Sequence, residues 1–153
     1  MEMYHFIATW FFQASIEKVW DEVIDVEAYP TWWPGIRRVT IQGPESRIRV
    51  GSIVDYEWKG SLPNILQFSI KVTILQPPNI VELKSLGDLV GKGKGVLESQ
   101  NDGTIVTFYW DVGMSNPFLN LVGKLPFVKT VLEKSHNDVM AKGYQALKIK
   151  LAK

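Results

Sequence analysis

Between Arg37 and Gly113 the chain is interrupted at short intervals by turn-forming residues: Gly43-Pro44, Gly60 to Pro63, Pro77-Pro78-Asn79, Gly87-Asp88 and Asn101-Asp102-Gly103. The runs between them are enriched in Ile, Val, Tyr, Trp and Thr, residues suited to a pleated, half-buried surface. Two runs alternate cleanly. "SIVDYEWKG" sets Val54, Tyr56 and Trp58 against Asp55, Glu57 and Lys59, and "LQFSIKVTI" sets Phe68, Ile70, Val72 and Ile74 against Gln67, Ser69, Lys71 and Thr73. Successive side chains of a strand point to opposite faces, so this period of two predicts six consecutive strands forming an antiparallel sheet with one apolar face.

The flanks read differently. Tyr4 to Gln13 is aromatic and β-branched and suits a first strand that is apolar on both faces. Ser15 can accept hydrogen bonds from the free amides of a helix start, and "SIEKVWDEVID" repeats Ile16, Val19, Trp20 and Val23 at helical spacing. In "VEAYPTWWPGI", Pro30 and Pro34 limit regular helix to about one turn, placing Trp32 and Trp33 in an irregular second segment. After Gly113, "NPFLNLVGKL" reads as a short apolar turn of helix, and Pro126 opens a long helix to about Ala152. On that helix Val128, Val131, Leu132, Ser135, Val139, Gly143, Ala146 and Leu147 share one broad face, with Lys134, Asp138 and Lys148 opposite. No repeat or low-complexity linker divides the 153 residues, so a single domain over 1–153 is expected.

"GKGKG", residues 91–95, has the glycine density of a phosphate loop, but a phosphate cradle opens a helix, and here the strand pattern continues. Taking Asp102-Gly103 as a two-residue hairpin turn faces Asn101 with Thr104 and pairs Leu97 with Phe108, Gly95 with Trp110 and Gly93 with Val112. The other face then pairs Glu98 with Thr107 and Lys94 with Asp111. The glycines fall on the apolar face, where a missing side chain leaves space opposite Trp110; they either allow tight curvature of the sheet, or make room for a ligand, or both.

Composition narrows the function. With 17 basic and 16 acidic residues the net charge is +1, which lacks the basic footprint expected of a nucleic-acid binder. The chain has no cysteine, and His5 and His136 stand far apart, so neither a metal site nor a cofactor is expected. "FIATWFF" follows Glu2 instead of a basic stretch and precedes no cleavage site, and no run is long enough to span a bilayer. A soluble, cytoplasmic protein is the expectation.

The order strand, two short helices, six strands and long C-terminal helix, with "ASIEKVWDEVIDVEAYPTWWPGIRRV" near the start and "NDGTIVTFYW" in the last hairpin, resembles the START-like helix-grip superfamily, specifically its polyketide cyclase/dehydrase branch. The resemblance covers roughly residues 4 to 150, and is most specific in Val19-Trp20, Asp25, Tyr29-Pro30 and Trp32, followed by Asp102-Gly103-Thr104. It implies an α+β helix-grip fold: a curved antiparallel sheet of about seven strands wrapped around the long helix, enclosing an apolar cavity for a lipid, sterol, polyketide or similar molecule. Some relatives are cyclases or dehydratases and others carry or sense ligands. The glycine-rich loop of the plant pollen-allergen branch lies between the second and third strands; "QGPESRIRVGS" lacks that glycine density, so the loop does not carry over. No fixed catalytic set transfers.

Strand parity independently nominates Val54, Tyr56, Trp58, Phe68, Ile70, Leu83, Ser85, Gly93, Gly95, Leu97, Phe108 and Trp110 for the concave side, and Trp32, Ser135, Val139 and Gly143 complete the candidate ligand-contacting set. Tyr56 and Ser85 need partners for their hydroxyls among apolar neighbours. Gly143, central on the apolar helix face, must serve close approach to the sheet or cavity room. Arg37 shares parity with Val39 and Ile41 and reads by default as a rim arginine in water, or else as an anchor for an acidic head at the cavity mouth. "PFLNLVGKLPF", 117–127, reads either as a lid or as cover for the sheet end. The expected function is binding or transport of a hydrophobic small molecule. An enzyme of the cyclase or dehydratase type is the alternative, with Tyr56 and His136 as acid–base candidates; a protein-interaction module is the second alternative.

Overall fold

The computed structural model describes residues 3–59, 65–115 and 126–153. Seven strands form one antiparallel sheet: β1 (Met3–Phe12), β2 (Ile36–Ile41), β3 (Ile53–Trp58), β4 (Leu66–Gln76), β5 (Ile80–Gly87), β6 (Leu89–Gln100) and β7 (Gly103–Met114), in the order β1-β7-β6-β5-β4-β3-β2. Strands β2 to β7 thus pair in sequence order, and β1 closes onto β7, leaving β1 and β2 as edges. Register shifts between Val72 and Ile74 in β4 and between Ile36 and Arg38 in β2 help bend the sheet. Two short helices follow β1: α1 (Ile16–Ile24) and, after a 3-10 turn at Val26–Ala28, α2 (Tyr29–Trp32). The long helix α3 runs from Pro126 to Leu151. This is the helix-grip fold: a curled antiparallel sheet with short helices after its first strand and a C-terminal helix.

Local chemistry accounts for the elements. Ser15 caps α1 by accepting from the Lys18 amide at 3.3 Å, and Val19, Trp20 and Val23 bury its inner face. Trp33, just past α2, donates its indole hydrogen to the Val139 carbonyl of α3 at 2.9 Å. Trp10 of β1 packs on Trp33, Phe108 and Tyr144, with centroids 5.3, 4.7 and 5.8 Å away, and the Tyr144 hydroxyl donates to the Phe11 carbonyl at 2.9 Å. An aromatic cluster therefore clamps α3 to the first strand. At the far end of α3, Lys150 pairs with Glu22 of α1 at 2.5 Å.

Several expectations need correction. The last hairpin turns at Asn101-Asp102, with Gln100 facing Gly103. Asn101 takes the left-handed conformation, φ 54°, which asparagine tolerates. Gly103 is committed elsewhere: a Cβ there would lie 2.2 Å from the Phe12 carbonyl, so its small size serves the approach of β1. The register moves by two residues, which preserves every face but changes the partners. Leu97 faces Val106, Gly95 faces Phe108, Gly93 faces Trp110 and Gly91 faces Val112; Lys92 faces Asp111, and Lys94 faces Tyr109 while pairing with Glu82 at 3.3 Å.

On β1 only alternate residues are covered: Tyr4, Trp10 and Phe12 are buried, while Met3, Ile7 and Phe11 face outward. On α3 the covered stripe is narrower than expected. It runs through Leu132, Ser135, His136, Val139, Gly143 and Leu147, leaving Val131 53% exposed and bringing His136 from the margin into the middle. Arg37 sits within the β2 bulge, which breaks the parity linking it to Val39, and it is exposed. Most of "PFLNLVGKLPF" and the short helical turn before Pro126 lie outside the described residues.

Candidate functional site

Between the sheet, the α1–α2 segment and α3 lies a cavity of about 200 Å³. The α1–α2 segment contributes Val23, Ile24, Val26, Tyr29 and Trp33; α3 contributes His136, Val139 and Met140. Of the residues nominated from sequence, Tyr56, Trp58, Phe68, Ile70, Leu83, Gly93, Gly95, Phe108, Trp110 and Val139 line it, on β3 through β7 and α3. They converge because each strand contributes alternate residues to the concave face.

The remaining nominees do not line the cavity. Val54 and Leu97 share the right face but are fully buried under their neighbours. Ser85 satisfies its hydroxyl within the sheet, donating to the Leu89 carbonyl at 2.8 Å. Ser135 is buried on α3. Gly143 serves close approach, though to an indole and not to the sheet: a Cβ there would lie 2.4 Å from Trp33 Nε1. Trp32 is partly buried against the core, stacking on Trp33 at 5.3 Å with Lys150 6.0 Å above its ring.

Lining residues that sequence reasoning missed fall into two kinds. Val81 and Val72 share parity with nominated neighbours and were legible in the alternation. Ile48 comes from the β2–β3 connection, Tyr29 and Trp33 from an irregular turn and Ile36 from a bulge, where no period marks the inward side.

The two glycines of "GKGKG" that face the cavity differ in what lies over them. A Cβ at Gly93 would meet Trp110 Cε3 at 2.3 Å, so the Trp110 indole already occupies that notch. At Gly95 the nearest atoms would be Val81 Cγ1 at 3.2 Å and the Phe108 ring at 3.9 Å. Gly95 is therefore less tightly covered than Gly93: only the Val81 methyl would have to give way to a Cβ there.

The site's electrostatics follow from burial. Tyr56 stacks on Phe68, with centroids 5.3 Å apart and planes parallel, and burial pushes its phenol pKa well up. Tyr29 is raised by burial first, then by Tyr56, Asp25 and Glu22, and its hydroxyl donates to the Val23 carbonyl. His136 is 8% exposed and stacks on Phe6 at 4.0 Å, with Trp58 edge-on at 6.5 Å. Burial lowers its pKa to about 4, against a smaller opposing contribution from a hydrogen bond with the Asn137 side chain. At neutral pH all three rings are uncharged. His136 Nδ1 and Trp58 Nε1 are buried without a hydrogen-bond partner among the described residues, a condition worth roughly 1–3 kcal/mol for each such group. Among the described residues no carboxylate lines the cavity, and Lys94, which borders it between Gly93 and Gly95, turns its ammonium to the opposite face of the sheet, where it pairs with Glu82. Among the described residues no group of three or more His, Asp or Glu side chains is placed to hold a metal, and no helix is long and apolar enough to cross a membrane.

Comparison with known proteins agrees with this geometry. Residues 3–151 match the family model described as polyketide cyclase / dehydrase and lipid transport. No curated protein sequence matches significantly. Among solved structures, the chain is similar to the Zhui aromatase/cyclase from Streptomyces sp. R1128, with 16% identity, TM-score 0.75 and coverage of 99% of this chain and 94% of that one. A START superfamily protein from Mycobacterium smegmatis shows 18% identity and TM-score 0.74, with 97% of each chain covered. Ginseng major latex-like protein 151 from Panax ginseng shows 14% identity and TM-score 0.69, again with 97% of each chain covered. At these identities the likeness is one of fold.

Proposed function

The chain belongs to the polyketide cyclase / dehydrase and lipid transport family, and from that premise we propose that it binds or transports a hydrophobic small molecule in the cavity between its sheet and α3. The observation that carries this reading is the cavity itself: about 200 Å³, lined by apolar and aromatic side chains drawn from the sheet and from the helices on either side. Concave, mostly apolar volumes with few polar groups are what small-molecule sites require. Native mass spectrometry of gently purified protein tests it: a small-molecule mass that is retained by the folded protein and lost on unfolding is expected. Absence of any such mass, together with no saturable uptake of an apolar fluorescent probe, would count against it.

The enzymatic alternative draws less support from the site. A general acid or base works best with a pKa near the operating pH. Burial moves Tyr56 upward and His136 down to about 4, away from neutrality in opposite directions. The interaction-module alternative needs a contiguous apolar surface. On the outer face of β1 and β7, exposed Ile7, Phe11 and Tyr109 are interrupted by Thr9 and by the His5–Asp111 pair at 2.7 Å.

A further inference from the structure

The two edges of the sheet are protected differently. β2 is 6 residues long, carries a bulge between Ile36 and Arg38 and the exposed Arg37 and Arg38, and its Ile41 amide donates to Glu27 Oε2 at 3.0 Å. Short length, bulges and charge are the devices by which an edge avoids pairing with another chain. β1 has none of them: it runs for 10 residues without a proline, lysine, arginine or carboxylate, in unbroken register with β7 from Met3 to Phe12.

Phe11 shows which residues of β1 turn their backbone to the free side. Its amide donates to the Tyr144 hydroxyl at 3.4 Å and its carbonyl accepts from that hydroxyl at 2.9 Å, so neither group is spent on β7. Alternate residues of an antiparallel strand share that direction, so His5, Ile7 and Thr9 also present N–H and C=O outward. Among the described residues no partner meets them.

We propose that β1 is a homodimer interface, in which the β1 strands of two copies pair antiparallel about a twofold axis at Ile7 and join their sheets into one. The occupant is a second copy because the strand is complementary to itself. With Ile7 opposite Ile7 of the second copy, His5 falls opposite Thr9 and Met3 opposite Phe11. Apolar side chains then meet apolar ones and polar meets polar. No like charges oppose: His5 is engaged with Asp111 of its own chain at 2.7 Å and does not face its own copy. Ile7, 67% exposed and paired with Tyr109 on β7, becomes the centre of an apolar row that runs across the axis from one Tyr109 to the other. Thr9 and His5, which interrupt the outer face as an apolar patch, thus fall in register. Outward-facing residues placed opposite one another exchange two backbone hydrogen bonds, so the seam from His5 to Thr9 supplies about six. Tyr144 bounds the seam at Phe11. Such an isologous pairing consumes both β1 edges and closes at two copies, leaving only the protected β2 edges free. It is independent of the ligand-binding reading, since these side chains lie on the face of β1 turned away from the cavity.

The test is sedimentation velocity of the full chain from about 10 µM to about 1 mM, a range suited to a seam at the small end of specific interfaces. Wild type should pass from monomer to dimer with a dissociation constant of about 100 µM. Ile7→Lys sets two ammonium groups face to face at the axis, and Ile7→Pro removes an outward amide while leaving the bonds to β7. Each should weaken the dimer at least about tenfold. Ile149→Lys, at a site 62% exposed on α3, should dimerise like the parent. Amide hydrogen exchange followed by NMR needs no variant. The His5, Ile7 and Thr9 amides should exchange about threefold more slowly at about 1 mM than at about 50 µM, by mass action, and those of Phe6 and Ala8, which face β7, should not change. A wild type that stays monomeric at the highest concentration, a dimer that survives Ile7→Lys, outward amides indifferent to concentration, or growth beyond two copies overturns the proposal.

Discussion

Lowering the pH from 7 to 4 should destabilise the wild-type fold by about 3 kcal/mol more than it destabilises a His136→Phe variant. In the folded protein the imidazole lies between Phe6 and Trp58, and among the described residues no carboxylate lines either void beside it to offset a charge. Burial therefore holds it neutral down to about pH 4, whereas an exposed histidine takes its proton near 6.5. Between those values the unfolded chain binds more protons than the folded one, so stability is full above pH 6.5 and is lost as the pH falls to about 4. A drop from 6.5 to about 4, at about 1.4 kcal/mol per unit, amounts to about 3 kcal/mol. Phenylalanine keeps an aromatic ring against Phe6 and removes the titration. The assay is urea unfolding followed by tryptophan fluorescence at half-unit pH steps, with the wild-type minus variant difference plotted against pH. Removal of the partnerless Nδ1 adds an offset that does not depend on pH; the slope between 6.5 and 4 is the diagnostic. Parallel curves would refute the reasoning, because they would mean that His136 is hydrated or paired in the folded state.

Three further outcomes follow from the packing. Gly95→Leu should carry a large side chain into the cavity that Gly95 lines and reduce uptake of an apolar fluorescent probe by at least about tenfold, displacing the Val81 methyl that a Cβ there would meet at 3.2 Å; uptake equal to the parent's would contradict the placement of Gly95 on the cavity wall. Gly143→Ala gains about 1 kcal/mol of helix propensity, yet its Cβ would meet the Trp33 indole at 2.4 Å and displace the bond to the Val139 carbonyl. A net loss of roughly 1–2 kcal/mol by urea unfolding is expected. Ser15→Ala should cost about 1 kcal/mol through loss of the α1 cap, read in the same way.

The parts of the fold that were legible in the chain are those set by neighbours in sequence. Alternation in "SIVDYEWKG" and "LQFSIKVTI" placed Tyr56, Trp58, Phe68 and Ile70 on the concave face, because parity needs only a strand. Ser15 and the apolar repeat after it set the start and the inner face of α1 for the same reason. What was not legible depended on contacts distant in sequence. Which of Asn101, Asp102 and Gly103 takes the left-handed conformation was decided by β1, whose Phe12 carbonyl leaves no room for a side chain at Gly103. Helical phase put His136 near an apolar face, but its depth is set by Phe6 and Trp58 closing over it from two strands. Arg37 is exposed, as a rim arginine in water would be, and its parity with Val39 does not survive the β2 bulge.

The two inward glycines of "GKGKG" and the helix glycine Gly143 show how such a chain can make room inside itself without collapsing onto the space. A deleted side chain in a close-packed interior is normally an invitation for a neighbour to move in. At Gly93 that has happened with Trp110, and at Gly143 with Trp33. Each indole thereby sits against a glycine, Trp110 on the sheet and Trp33 on α3, and both line the cavity. Gly95 is the exception. Its partner across the hairpin is Phe108, whose ring stays 3.9 Å from where a Cβ would be and is itself packed against Trp10 at 4.7 Å. With Phe108 held by Trp10 and Trp110 seated over Gly93, no large ring is free to cover Gly95. A register shifted by two residues would have set Trp110 opposite Gly95 in place of Phe108. The hairpin turn at Asn101-Asp102, remote from the cavity, thus determines which ring faces each glycine.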